Sequence, residues 1–281
     1  MTPHAVILCA AAWACAGTTS KEQALTASER LASAEFASSG SVQAQPEMNG
    51  AREPADIREA FSELPVPGFL NAVFYTPPGS GVHPLVVASH GAGGAPRDEC
   101  EYWLKLTRQQ AFLLCLRGVP FGKAHPTAFF YRNHLELGRE LKAALEAAKA
   151  RQGRRFAQKS GIYAGFSQGA IMAVGMIPPF GSDLPYLVLI EGGYQYWSVA
   201  HARQFAKAGG KRVLIACGTE VCAKRGAEAV VWLRQGGLEA RMAYAEGAGH
   251  TPFGQVEEEV ARALPWVVNG AGWSGHAFTR P

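Results

Sequence analysis

The sequence predicts an α/β protein, a three-layer sandwich around a mostly parallel sheet with no separate cap domain. Three observations lead there. From residue 69 onward, short apolar or β-branched runs alternate with helix-like stretches. Most of these runs are hydrophobic throughout rather than at every second position, as strands buried on both faces of a parallel sheet are. The 281 residues are 48% hydrophobic and include 14 Phe, 8 Tyr and 6 Trp, which is enough for a sizeable core and excludes a wholly disordered chain.

Taken in order, residues 5–17 (AVILCAAAWACAG) form an apolar run. It is shorter than the roughly 20 residues a membrane helix needs. With the small residues that follow, residues 1–17 read as an export signal, although the opening MTPH carries no Lys or Arg. Cys15, preceded by Ala12-Trp13-Ala14, resembles a bacterial lipoprotein cleavage site without its usual Leu. An ordinary cleaved signal is the alternative, and both stand. The expected location is therefore outside the cytoplasm: periplasmic, membrane-anchored through a lipid on Cys15, or secreted. Residues 18–50, rich in Ala, Ser, Thr, Gln and Gly, cannot offset their own ordering entropy and read as a flexible tether. Residues 51–68 read as an approach to the fold, 69–268 as the folded domain and 269–281 as a tail.

Within the domain, strands are expected at 71–76 (NAVFYT), 84–89 (PLVVAS), 111–116 (AFLLCL), 161–165 (GIYAG), 186–191 (YLVLIE), 212–217 (RVLIAC) and 240–245 (ARMAYA). Helices are expected at 133–149, 170–176, 198–207, 223–235 and 255–268, with Leu135, Leu141, Leu145 and Ala148 forming the apolar stripe of the first. Of the 6 Cys, Cys9 and Cys15 lie in the leader. The other four predict two disulfides in an exported chain, paired by proximity as Cys100–Cys115 and Cys217–Cys222. Closing a loop of about 15 residues is worth roughly 3 kcal/mol in the chain-entropy model.

Several function classes fall away. A net charge of +4 leaves no electrostatic footprint for nucleic acid, and the basic cluster 149–155 (KARQGRR) reads as the close of a helix. Neither CxxC nor HExxH occurs, so no metal site is expected. Gly270-Ala271-Gly272-Trp273-Ser274-Gly275 matches GxGxxG, but the six residues after it cannot build a dinucleotide-binding βαβ unit. No cofactor is expected.

Three motifs carry chemistry. Gly165-Phe166-Ser167-Gln168-Gly169 matches GxSxG, a pattern expected about 0.25 times by chance at this glycine content. Its placement between an expected strand and an expected helix is what gives it weight. Flanking glycines there permit a tight turn that exposes the serine hydroxyl at the sheet edge. The Gln168 N–H, at the helix start, then faces a developing oxyanion. His90-Gly91-Ala92-Gly93-Gly94 follows the strand at 84–89, and its backbone N–H groups can approach a carbonyl without obstruction; a plain turn is the alternative, with His90 packing beneath it. Gly247-Ala248-Gly249-His250 follows the last expected strand, where a general base is needed.

GFSQGA with the upstream HGAGG and downstream GAGH resembles the α/β-hydrolase superfamily over residues 69–268, its phospholipase/carboxylesterase or dienelactone-hydrolase-like branch in particular. The resemblance implies an α/β-hydrolase fold, Ser167 as nucleophile, His250 as base, and the Ala92 and Gln168 N–H groups as oxyanion hole. The function expected is an exported serine hydrolase acting on a small-molecule ester. A degenerate, non-catalytic scaffold and a peptidase of the same fold are the alternatives. The resemblance leaves the third member of the triad open. The superfamily often carries an Asp in a Gly-x-x-Asp after the strand that is here 212–217. This sequence has Gly218-Thr219-Glu220-Val221, with Glu220 one place early. Glu191, which ends the apolar strand Leu189-Ile190-Glu191, is the rival, because an unpaired carboxylate there is costly. Asp183, in a Gly/Pro-rich loop, reads as a turn residue.

Overall fold

The computed structural model describes residues 60–123 and 125–273. The expected export signal and tether, Cys15 among them, lie outside the described residues, as does the second half of the tail from residue 274.

The described residues form ten strands and six α-helices. In chain order the strands are β1 Phe61–Leu64, β2 Ala72–Tyr75, β3 Leu85–Ser89, β4 Phe112–Leu116, β5 Val119–Gly122, β6 His125–Phe130, β7 Ile162–Phe166, β8 Tyr186–Ile190, β9 Arg212–Cys217 and β10 Glu239–Tyr244. The helices are α1 Pro96–Leu106, α2 His134–Gln152, α3 Gln168–Met176, α4 Val199–Lys207, α5 Glu220–Gln235 and α6 Gln255–Val267. Eight strands make one sheet in the order β1-β2-β4-β3-β7-β8-β9-β10, while β5 and β6 pair as a separate antiparallel hairpin. The β1–β2 and β2–β4 pairs are antiparallel, and every pair from β4 to β10 is parallel.

Strand alternation divides the core into two layers. Phe74, Val87, Leu114, Tyr163, Leu189 and Ile215 face one side, where the buried residues of α2, α3, α4 and α5 meet them. Tyr75, Val86, Leu113, Ala164, Val188 and Leu214 face the other, under α1 and α6. The three-layer architecture and the mostly parallel sheet are thus as the sequence predicts. Both predicted disulfides are formed: Cys100–Cys115 ties α1 to β4, and Cys217–Cys222 ties the end of β9 to the first turn of α5.

Three expectations need correction. Residues 61–64, assigned to the approach, are an edge strand paired with β2, too short and too little buried to show as a hydrophobic run: only Leu64 of the four is buried. Leu135 is exposed, and Leu137 takes its place beneath α2 with Leu141, Ala144, Leu145 and Ala148. Six residues turn a helix through 600°, so Leu135 sits about a third of a turn from Leu141, whereas Leu137 is one four-residue step away. The hairpin β5–β6 was also unforeseen, since Pro120 and Pro126 argue against a regular strand.

Because β3, β7, β8, β9 and β10 run parallel, their carboxyl ends open on one edge of the sheet. The loops starting at His90, Ser167, Glu191, Gly218 and Ala245 therefore emerge side by side. Such an edge is where open α/β sheets place their ligands.

Candidate active site

Ser167 stands between the last residue of β7 and the first of α3, with φ 48° and ψ −113°. A non-glycine residue there costs on the order of 1–3 kcal/mol and persists only where its surroundings hold it. The surroundings are crowded enough to do so. A Cβ on Gly165 would lie 2.7 Å from the Ala170 nitrogen, and one on Gly169 would run into the Ser89 carbonyl and hydroxyl. Behind the turn, the Tyr163 hydroxyl donates to the Gly169 carbonyl at 3.0 Å and shares a hydrogen bond with Ser89 Oγ. The Ser167 N–H donates to the Ile190 carbonyl at 2.9 Å, fastening the turn to the end of β8.

Ser167 Oγ lies 2.9 Å from His250 Nε2, and His250 Nδ1 lies 3.1 Å from Glu191 Oε2. Glu191 follows β8 at φ 49°, itself in the left-handed region, and is 3% exposed. Its carboxylate also accepts from the Gly218 N–H, from the Thr219 N–H at 2.9 Å and from the Thr219 hydroxyl at 3.0 Å. Burial pushes this carboxyl up. The hydrogen bonds from His250, Gly218 and Thr219 outweigh burial and hold it below its ordinary value. The carboxylate is therefore ionised at neutral pH. It orients Nδ1–H toward itself, which leaves the Nε2 lone pair facing the serine hydroxyl.

Of the two sequence-predicted carboxylates, the structure brings Glu191 to the histidine and leaves Glu220 away from it. Glu220 is the exposed first residue of α5, just after the N-cap Thr219. Asp183 pairs with Lys149 at 2.8 Å, remote from the serine in the hydrogen-bond network. His90 is buried, stacks on Tyr131 and places Nδ1 2.7 Å from the Gly91 carbonyl and Nε2 3.0 Å from the Arg117 carbonyl. Burial lowers its pKa, and it braces the glycine-rich loop as a neutral ring.

That loop turns beside Ser167. The Gly94 N–H closes it onto the Gly91 carbonyl at 3.0 Å, and Gly93 and Gly94 hydrogen-bond to Phe129 of β6. The Gln168 side chain accepts from the Tyr131 N–H at 2.8 Å, which pins the start of α3. Neither the Ala92 nor the Gln168 N–H has a hydrogen-bond acceptor among the described residues. The His250 side chain is 54% exposed and Ser167 is half-buried, so among the described residues the arrangement opens to solvent. Among the described residues, the one cluster with three metal-ligand side chains is Glu191, Cys217 and Cys222. The two sulfurs there are bonded to each other, which leaves a single carboxylate and no ligand set. Thr219 was not singled out in the sequence. A Thr between a strand end and a helix start signals an N-cap, but nothing in the pattern signals its contact with Glu191.

No family model matches the chain, and no curated protein matches it. Solved structures do. The chain is similar to the esterase PE8, at 20% identity and a TM-score of 0.55, with 69% of this chain and 97% of that one covered. It is also similar to a Bacillus cereus carboxylesterase, at 24% identity and a TM-score of 0.53, covering 73% and 96%. TT1662 from Thermus thermophilus aligns at 17% identity and a TM-score of 0.55, covering 79% and 98%. Identities this low speak for architecture, and with the parallel sheet and the strand–turn–helix at Ser167 they identify the chain as an α/β-hydrolase fold.

Proposed function

We propose that this protein is an exported serine hydrolase that cleaves small-molecule carboxylic esters through an acyl-enzyme on Ser167. The observation that carries the reading is the continuous relay from Ser167 Oγ through His250 to Glu191 at 2.9 and 3.1 Å. It lies beside the Ala92 and Gln168 N–H groups, which have no acceptor among the described residues.

In this reading Ser167 Oγ attacks the ester carbonyl carbon while His250 Nε2 takes its proton. Glu191 holds Nδ1–H and stabilises the imidazolium without accepting the proton. The carbonyl oxygen becomes an oxyanion, to which the Ala92 and Gln168 N–H groups donate. One such donor is worth about 10²–10³ in kcat. When the tetrahedral adduct collapses, the imidazolium returns its proton to the departing alkoxide, and the alcohol leaves. Water then repeats the sequence on the acyl-serine, with His250 as base, and the acid is released with Ser167 reprotonated. The esterase and carboxylesterase among the similar structures support an ester as substrate.

Two buried disulfides suit an oxidising compartment and an exported chain, with residues 1–17 as signal and Cys15 as the lipid-bearing residue if the anchor is retained. Among the described residues no helix is long and apolar enough to cross a membrane.

The test is labelling with a fluorophosphonate probe together with turnover of p-nitrophenyl esters of graded acyl length. Wild type should label on Ser167 and hydrolyse at least one ester. Ser167→Ala should do neither while keeping its circular dichroism spectrum. Equal turnover by wild type and variant would remove Ser167 from the reaction.

A further inference from the structure

The carboxylate of Glu191 is held by a loop that is itself closed covalently. β9 ends at Cys217, Gly218 and Thr219 follow, and Cys222 lies in the first turn of α5, with the Cys217–Cys222 disulfide spanning the segment. Three donors of this short loop go to the same carboxylate. The Gly218 N–H and Thr219 N–H both donate to Glu191 Oε1, and the Thr219 hydroxyl donates to Oε2. The Thr219 oxygen simultaneously accepts from the Cys222 N–H at 3.3 Å as the N-cap of α5. A single hydroxyl thus joins the helix end, the disulfide-bearing residue and the carboxylate.

The loop also reaches the histidine. The Gly249 N–H, one residue before His250, donates to the Gly218 carbonyl at 3.1 Å. A Cβ on Gly218 would collide with the Gly249 carbonyl and approach Val256 to 2.9 Å, so the two loops are in direct contact. Glu191 is buried, and its four donors are the Gly218 N–H, the Thr219 N–H, the Thr219 hydroxyl and His250 Nδ1. Cys217 and Cys222 are fully buried alongside. A free chain of this length would sample many directions for those N–H groups, and a bridge across five residues removes most of them.

We propose that the disulfide-closed loop from Cys217 to Cys222 is a positioning device for Glu191, with Thr219 as its positioning residue, so that full activity requires the oxidised loop. The proposal rests on the serine hydrolase reading above. Hydrogen bonds from uncharged donors to a carboxylate are worth enough that loss of one well-placed donor costs about ten- to hundredfold in a rate that depends on that carboxylate.

The test is a kinetic series with the ester that wild type hydrolyses best, with circular dichroism on every variant. Thr219→Val should lower kcat about ten- to hundredfold and leave KM in place. Thr219→Ser, which keeps both hydrogen bonds, should restore most of the loss. In a Glu191→Gln background the Thr219→Val penalty should vanish, because a residue acting through Glu191 has nothing left to position. An N-cap acting only on stability would keep its effect in both backgrounds. Cys217→Ala/Cys222→Ala, with Cys100–Cys115 intact by mass spectrometry, should lose kcat to a similar degree while folded. Undiminished kcat in both Thr219→Val and the double cysteine variant would overturn the proposal. Wild type that neither labels with fluorophosphonate nor turns over any ester would overturn the parent reading instead.

Discussion

Replacing Glu191 by Gln keeps the shape of the side chain and reverses half of its hydrogen bonding, so the structure dictates the outcome closely. All four polar partners of the carboxylate are donors: the Gly218 and Thr219 N–H groups on Oε1, and the Thr219 hydroxyl and His250 Nδ1 on Oε2. An amide has one acceptor and one donor end. Its oxygen will sit against the two backbone N–H groups, which cannot turn away, and its NH2 will then face Thr219 and His250. The Thr219 hydroxyl can accept from it. His250 can accept only by moving its proton from Nδ1 to Nε2, which aims N–H at Ser167 Oγ, 2.9 Å away, and abolishes its capacity as base. The same reversal of tautomer in a Ser-His-Asp protease costs about 10⁴ in kcat, or about 5.5 kcal/mol. We expect a loss of that order here, with KM little changed. The measurement is steady-state turnover of the preferred p-nitrophenyl ester by wild type, Glu191→Gln and Glu220→Gln, at a temperature where all three are folded by circular dichroism. Glu220→Gln should match wild type, since Glu220 is exposed on α5. Turnover by Glu191→Gln within tenfold of wild type would refute the reasoning and detach Glu191 from the histidine's tautomer.

Two further outcomes follow from buried groups. Burial pushes the Glu99 carboxyl of α1 up to about 8, against the opposing hydrogen bond from Trp103 Nε1, with Asp98 adding to the rise. The unfolded chain ionises this group near 4.5, so the folded state gives up stability as pH rises from there to about 8. At about 1.4 kcal/mol per pH unit that amounts to about 5 kcal/mol, an upper figure. Urea unfolding at pH 5 and pH 8 should show Glu99→Gln losing much less than wild type across that interval, and equal losses would exclude Glu99 as the source. Gly169→Ala, whose new Cβ meets the Ser89 carbonyl and hydroxyl, should destabilise by about 1–3 kcal/mol and suppress fluorophosphonate labelling by shifting the turn at Ser167. A thermal scan and labelling at wild-type level would show that β3 yields without disturbing the serine.

The positions of Ser167 and His250 were legible because each rests on local pattern. GIYAG is apolar enough to be a buried strand, AIMAVGM continues as a helix, and the glycines between them have no other economical use. Which carboxylate meets His250 was not legible. Glu191 and Glu220 follow the neighbouring parallel strands β8 and β9, so both sit near the same edge, and chain order cannot say which one turns inward. The answer lies in φ 49° at Glu191 and in the N-cap at Thr219, which starts α5 three residues earlier than residue 223 and turns Glu220 out to solvent. The hairpin β5–β6 escaped for the opposite reason, as its exposed, proline-containing strands lack the hydrophobic run that marks β3 or β8.

By itself the sequence determined the layer order, the parallel sheet, both disulfide partners and the serine's turn, because these depend on residues near one another in the chain or on which runs must be buried. Only the tertiary structure decided which carboxylate faces His250 and which donors hold it. Glu191, Gly218, Thr219 and His250 come from three separate loops, brought within hydrogen-bonding distance by the parallel packing of β8, β9 and β10. A contact of that kind leaves no periodicity in the chain, since its energy depends on distance and direction between loops rather than on spacing along the sequence.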